Sequence, residues 1–354
     1  MISLNKFVLN KQKLNNRICI APMCQYSANN GNPSEWHYFH LKKLMQSGSG
    51  LLIIESTAVS KEGMISKKDL SLYNKKNFTE FKKLFNYLKK ISKTKIGIQL
   101  SHSGRKGSSE LPWIKSNFPL KKNNGWKTIA PSKIKRDKHW PNPKEANLKD
   151  LDKIKFDFIK STTYAKKIGF DCLEIHMAHG YLLHQFFSPI SNKRKDSYGA
   201  NLKNRCKFLL EVASEIRKIW PKNKVLGARV NGSDWIERGT TISDCIYLCE
   251  NLKKIGFNYV CVSSGGIIPK TKIKFKKGYQ VHLAKKIRDV VGIKVKTTGN
   301  ISDIKHAEEI IKSGKADLVS FGRKFINSPT WLIKDLLRYK KKIKLPNQYK
   351  RCFK

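Results

Sequence analysis

Three groups able to donate or exchange protons, His176, His179 and Tyr181, fall within six residues in the stretch FDCLEIHMAHGYLLHQFFSPISNKRKDSYGANLKNR, residues 170–205. They follow the short apolar run 172–175 and surround Gly180, the pattern of a strand that ends in a polar turn. Side chains of these types, set close together, are the equipment of general acid–base chemistry. They are equally the content of an ordinary satisfied polar loop, and this stretch alone leaves the two readings level.

The elements that must position these residues come from hydrophobic periodicity. Strand-like runs stand at 18–23, 51–56, 96–100, 172–175, 225–230, 259–262, 293–297 and 318–321. Helix-like patterns follow them at 36–46, 78–91, 151–168, 202–219, 242–255, 279–290, 304–312 and 329–340; Leu151, Ile154, Phe158 and Tyr164 mark one buried stripe. Eight alternating units predict an α/β fold, a (β/α)8 TIM barrel, and no G-x-G-x-x-G follows a strand to favour a doubly wound sheet. The surplus length, 103–150, carries five prolines and three tryptophans without a sustained period. It reads as a long excursion between strands 3 and 4, a lid or subdomain over the mouth of a single domain spanning 1–354.

In such a barrel, chemistry collects where the strands end. Those ends offer Met23, Cys24 and Tyr26, then Thr57 and Ala58, Gln99 and His102, then His176, His179 and Tyr181. Arg229 and Asn231, Ser263 and Gly265, Thr298 with Gly299, and Gly322 with Arg323 complete the ring. The last two pairs fit a phosphate site, because glycine lets backbone N–H groups approach an anion and arginine adds a positive fork. Tight turns are the plain alternative.

Composition narrows the class. Lys plus Arg number 72 against 26 Asp plus Glu, a net charge of +46. Such an excess suggests nucleic acid or anionic membrane as a partner. Here, however, lysine is interspersed along nearly every predicted helix and loop together with Asn and Ile, residues of A/T-rich codons, which favours solvated faces over a nucleic-acid surface. Runs such as Lys121-Lys122 and Lys340-Lys341-Lys342 are too short to alter this. The opening residues lack the apolar centre of a signal peptide and no stretch is long enough to cross a bilayer, so a cytoplasmic location is expected. Eight cysteines, at 19, 24, 172, 206, 245, 249, 261 and 352, include no C-x-x-C pair and are expected as thiols.

The segments APMCQYS (21–27), IGIQLSHSGRK (96–106), EIHMAHGYLLHQFFSPISNKRKDSYG (174–199), Asn204-Arg205, VSSGG (262–266) and FGR (321–323) together resemble the old yellow enzyme family of FMN-dependent ene-reductases. The cysteine in PMC and the YKRCF tail point to its bacterial, thermophilic-like branch near the xenobiotic reductases. The likeness spans nearly the whole chain in order, and H-x-A-H-G-Y-L followed by S-P-x-S-N is its most specific part.

The resemblance implies that NADPH or NADH reduces FMN and leaves, after which an electron-poor alkene takes hydride from flavin N5. His176 and His179 would then aim ring N–H donors at the substrate's carbonyl or nitro oxygen, and Tyr181, with an ordinary pKa of about 10, would protonate the alkene. A metal pair is the rival, but zinc would need further ligands that the sequence does not supply. Ala21, Pro22, Met23, Cys24, Ala58, Gln99, Arg229, Gly299, Gly322 and Arg323 would line the flavin. Gln99 would donate and accept at its pyrimidine edge, and Arg229 would offset charge at N1 and O2. Tyr26 would touch substrate, and Arg351 would reach a neighbouring subunit's site in a dimer or tetramer.

Two departures stand out: Cys352-Phe353 where Gly-Trp is common, and Ser101 and Ser103 in place of alanines around His102. Competing readings are another flavin oxidoreductase of the dienoyl-CoA reductase kind, a nucleic-acid-binding protein, and a Schiff-base barrel enzyme using Lys296.

Overall fold

The computed structural model describes residues 1–354 except 122, 270, 272, 342, 344, 346 and 354, and gives only the backbone of 348, 349 and 353. Parts of both short basic runs, and of the tail 340–354, therefore lie outside the described residues.

Eight parallel strands close into a barrel in chain order: β1 (Ile18–Ile20), β2 (Leu51–Ala58), β3 (Lys95–Ser101), β4 (Cys172–Met177), β5 (Val225–Asn231), β6 (Tyr259–Ser263), β7 (Lys294–Thr297) and β8 (Leu318–Phe321). Closure is sealed by the β8–β1 and β5–β6 ladders. Each strand is buried on both faces, which is why these runs read as continuously apolar rather than alternating. Around them pack α1 (Glu35–Met45), α2 (Lys75–Ile91), α3 (Leu148–Ile168), α4 (Leu202–Ile219), α5 (Ile242–Ile255), α6 (Val281–Val291), α7 (Ile304–Lys312) and α8 (Trp331–Arg338). The expected (β/α)8 barrel is the fold.

Local chemistry sets the helix limits. Asn147 with Asp150, and Thr241 with Asp244, form capping boxes that start α3 and α5. Gly169, at φ 107°, ends α3 in the left-handed conformation. On α3, Leu151, Ile154, Phe158 and Ala165 are buried, and Tyr164 packs on Phe78 of α2 with ring centroids 5.2 Å apart.

Three boundaries differ from the sequence reading. β1 stops at Ile20, because Ala21 N–H still donates to Phe321 O at 2.9 Å but Pro22 has no N–H with which to continue. β2 carries a bulge between Ile54 and Ser56 that places Glu55 under the loop after β1. β4 runs on to Met177, so His176 belongs to a strand and only His179 and Tyr181 to the turn.

A hairpin, Phe7–Leu9 with Gln12–Leu14, was not legible in the sequence. Phe7, Leu9 and Leu14 join Leu51, Ile53, Cys172, Val225, Cys261 and Leu318 in one apolar cluster that plugs the barrel's N-terminal end. The opposite end is left for the loops. The excursion contains a short helix, Pro112–Lys115, and two parallel segments, Ile129–Ala130 and Lys144–Glu145.

Phe170, fully buried, meets Phe81 and Phe85 of α2 edge-on at centroid distances of 6.5 and 5.0 Å. Truncation to alanine leaves a cavity between α2 and the start of β4. Phe170→Ala is therefore expected to lower the unfolding free energy by about 3–5 kcal/mol. Denaturant titration checks this; a loss well below that range would show that the α2 contact closes over the gap.

Candidate active site

The end of β4 is a chain of oriented hydrogen bonds. Ala178 N–H donates to His176 Nδ1 at 3.2 Å, which leaves the ring hydrogen of neutral His176 on Nε2. That atom lies 3.3 Å from His179 Nδ1, and His179 Nε2 lies 2.7 Å from Ser263 Oγ at the end of β6. Read in sequence, His176 donates to His179, His179 donates to Ser263, and Ser263 donates to Gln280 Oε1 at 3.3 Å. Burial, then the charge of Arg229, holds both imidazoles well below their ordinary pKa, so they are neutral at pH 7. The spacing suggested two N–H donors aimed at one point; here each is engaged by the next group along.

The turn itself is held from beneath. The short helix Leu182–Phe187 presents His184 and Gln185, both fully buried. Gly180 N–H donates to His184 Nδ1 at 2.8 Å, and Gln185 Nε2 donates to Gly180 O at 2.7 Å and Ser103 O at 3.1 Å. Gly180, at φ 71°, lies so close to the β6 turn that a Cβ would stand 2.2 Å from Gly266 O. His184 Nε2 in turn faces Asp234 Oδ1 at 3.1 Å. The sequence reading passed over His184 and Gln185, although HGYLLHQ sets them four and five residues after Gly180.

Tyr181 stands edge-on to His176, ring centroids 4.7 Å apart, and burial raises its hydroxyl well above the ordinary value. Cys24, Tyr26 and Tyr181 share one neighbourhood, since the first two contribute to that shift. Glu55 accepts from Gln25 N–H at 2.7 Å and fixes the loop that carries Cys24 and Tyr26. Burial, then Glu55, keeps the Cys24 thiol protonated. Tyr26, at φ 49°, meets Trp113 of the excursion at 6.0 Å.

The excursion adds cations that the sequence reading did not single out. Lys106 Nζ donates to His179 O at 2.7 Å and to Gly266 O at 3.4 Å, and sits 5.0 Å from the centre of the Tyr181 ring. Arg105 donates to Ile267 O at 2.9 Å and Ile134 O at 3.2 Å. Arg136 acts electrostatically on both Tyr181 and Tyr26.

Around the rest of the mouth, Ala21, Met23 and Gly322 converge, since a Cβ on Gly322 would lie 3.1 Å from Met23 Sδ and 3.9 Å from Ala21 Cβ. Pro22 and Cys24 flank Met23 in the same loop, and Ala58, buried, closes β2. Gly299, at φ 104°, follows β7, and exposed Arg323 opens a short helix after β8. Tyr279 feels the charges of both Arg229 and Arg323, which puts the two arginines on one side.

Arg229 Nε is buried with no partner among the described residues, as expected of a group kept for a ligand acceptor. Gln99, 1% exposed, gives its amino group to Glu174 Oε1 at 2.8 Å. With small residues at 58, 299 and 322 and cations at 229 and 323, the set fits a flat, polar-edged ring bearing a phosphate.

Two expected roles change or stay apart. Lys296 is fully buried, 2.7 Å from Glu174 Oε2, and this carboxylate, outweighing burial, raises its pKa above that of free lysine. A Schiff-base nucleophile needs the opposite shift, so Lys296 is the ion-pair partner of Glu174 and not a nucleophile. Arg351 is exposed in the C-terminal turn Asn347–Phe353. Among the described residues, no group of three or more His, Cys, Asp or Glu side chains is arranged to hold a metal, and no helix is long and apolar enough to cross a membrane.

A parallel barrel whose strand ends gather Arg229, two neutral histidines and a tyrosine at one mouth fits the class of flavin-dependent barrel oxidoreductases. Residues 6–340 match the model of the NADH:flavin oxidoreductase / NADH oxidase family. An NADH:flavin oxidoreductase of Gibberella zeae is 40% identical over 332 residues, covering 89% of this chain and 80% of its own. An NADPH dehydrogenase of Clostridium acetobutylicum is 35% identical over 351 residues, covering 98% of each. A morphinone reductase solved with tetrahydroNAD superposes with a TM-score of 0.78 at 21% identity, over 98% of this chain and 92% of that one, a likeness of fold. The chain belongs to this family, the old yellow enzymes, and is an FMN-containing, NAD(P)H-dependent oxidoreductase.

Burial, then Arg136 and Arg105, pushes the Lys106 amine down from its ordinary 10.5 to about 7. Between those values the unfolded chain binds the proton and the folded chain does not, so the penalty this group imposes on the folded state, full below about 7, is relieved progressively as pH rises to 10.5. The melting temperature of the wild type minus that of Lys106→Met is expected to climb across this interval. A pH-independent difference would show that Lys106 stays protonated throughout.

Proposed function

We propose that the enzyme reduces the C=C bond of electron-poor alkenes, namely enones, enals, maleimides and nitroalkenes. The observation that carries this reading is the joint placement of His176, His179 and Tyr181 at one strand end, with the imidazoles neutral and the phenol protonated. FMN, when bound and reduced by NADPH or NADH, supplies the hydride.

The chain's own residues would then act on the oxygen and the proton. His176 offers its Nε2 hydrogen to the substrate's carbonyl or nitro oxygen, in competition with His179 Nδ1. His179 becomes a second donor when its ring turns away from Ser263, so the two-donor clamp forms as substrate enters. Tyr181 gives its proton to the carbon α to the activating group. Its raised pKa means that the phenol is intact at every working pH, and Arg136, whose charge acts on Tyr181, stabilises the phenolate left behind.

Tyr26 and Cys24 line the substrate side, and the excursion, tied to the β4 and β6 turns by Lys106 and Arg105, serves as the lid. We place the enzyme in the cytoplasm, which suits its free thiols. We further propose that it is a homo-oligomer in which exposed Arg351 reaches a neighbour's mouth.

Tyr181→Phe tests the acid. Reoxidation of the reduced enzyme by an enone is expected to slow by about 10²–10⁴-fold, with reduction by NADPH almost unchanged. Equal losses in the two half-reactions would make Tyr181 structural.

A further inference from the structure

We propose that Glu174, with Lys296 as its counter-charge, is a positioning residue for the cofactor. It fixes the side-chain amide of Gln99 so that the carbonyl, rather than the amino group, is presented to N3–H at the pyrimidine edge of the flavin.

A primary amide has two ends of nearly equal shape and opposite hydrogen-bonding character, so a glutamine recognises a ligand specifically only where a neighbour tells the ends apart. Gln99 on β3 lies directly beside Glu174 on β4 in the ladder. Its Nε2 donates to Glu174 Oε1 at 2.8 Å, and no hydrogen bond from the described residues reaches its carbonyl oxygen. The discrimination holds only while Glu174 is ionised, because a protonated carboxyl could itself donate.

Ionisation is built in. Glu174 Oε2 receives Lys296 Nζ and the Tyr259 hydroxyl, each at 2.7 Å. Burial would push the carboxyl up, but Lys296 and Arg229 more than offset it. With three donors and no proton, the carboxylate can only accept, and Gln99 has one orientation left.

A general structural role explains this arrangement less well. Glu174 and Lys296 are both fully buried, in strands β4 and β7 of the barrel. Burying such a pair removes two ions from water, and apolar residues of similar volume stabilise a core as well or better. What apolar residues cannot do is orient an amide. The carbonyl so presented selects an N–H donor, and the pyrimidine edge of oxidised flavin offers one, N3–H, between two carbonyl acceptors. Gln99 therefore presents its carbonyl to N3–H, while the second hydrogen of its amino group, the first being held by Glu174, is the donor it keeps for an adjacent flavin carbonyl.

The test is a double-mutant cycle read by FMN affinity, measured by flavin fluorescence titration of the full chain stripped of cofactor. Glu174→Leu/Lys296→Leu removes the charge pair and frees the amide; it is introduced into the wild type and into Gln99→Leu. Binding is expected to weaken about tenfold with Gln99 present, the value of one hydrogen bond, and to change little in the Gln99→Leu background. Equal weakening in both backgrounds would make the pair structural, and no weakening in either would remove Glu174 from cofactor binding. Should the leucine pair fail to fold, Glu174→Gln/Lys296→Met keeps the volumes and runs the same cycle. The readout involves no alkene, so its outcome is separate from the question of substrate.

Discussion

The mouth of this barrel depends on a close approach of two turns. Gly180 after β4 and Gly266 after β6 pack backbone to backbone, with no room for a Cβ on either. That contact brings the His179 ring within 2.7 Å of Ser263 and sets the carbonyls of His179 and Gly266 close enough for one side-chain nitrogen, Lys106 Nζ, to bridge them. Through Lys106 and Arg105 the long excursion is fastened over the mouth, and through His184 and Gln185 the turn is fastened to the barrel. The orientation of the His179 ring, the position of Tyr181 and the attachment of the excursion follow from one steric constraint.

Electrostatics then assigns the protonation states. The site is rich in cations, Arg105, Arg136 and Arg229, and burial limits the water that would screen them. Under these conditions His176 and His179 remain neutral. Below, Glu174 takes the one arrangement that lets a carboxylate and an ammonium share a dry barrel, each directly bonded to the other.

Much of this was legible in the sequence where the signal is local. Apolar runs such as those of β5 and β6 and capped helices such as α5 announce themselves, and ordering the strand ends puts Gln99, His176, Arg229 and Gly322 around one mouth. What escaped depends on contacts distant in sequence. The 7–14 hairpin is too short and mixed to show a period, yet it plugs the barrel. Lys296 invited a nucleophile reading until Glu174, far away in the chain, appeared beside it. His176 reads as part of the turn because the apolar run 172–175 ends before it, whereas pairing with β5 extends the strand through Met177. Arg136 and Lys106 were indistinguishable from the surrounding excess of basic residues. Their roles come from the three-dimensional position of the excursion, which no periodicity encodes.

The central claim is that the site passes electrons from a nicotinamide to an activated alkene. Its most direct test is anaerobic: the FMN-loaded enzyme is reduced with one equivalent of NADPH, then mixed with a panel of cyclic enones, maleimides and nitroalkenes while the oxidised-flavin absorbance is followed. The account predicts that the bleached flavin regains its colour at a rate that rises with alkene concentration, with one equivalent of the saturated product formed. A flavin that NADPH bleaches, and that oxygen but no member of the panel reoxidises, would contradict it.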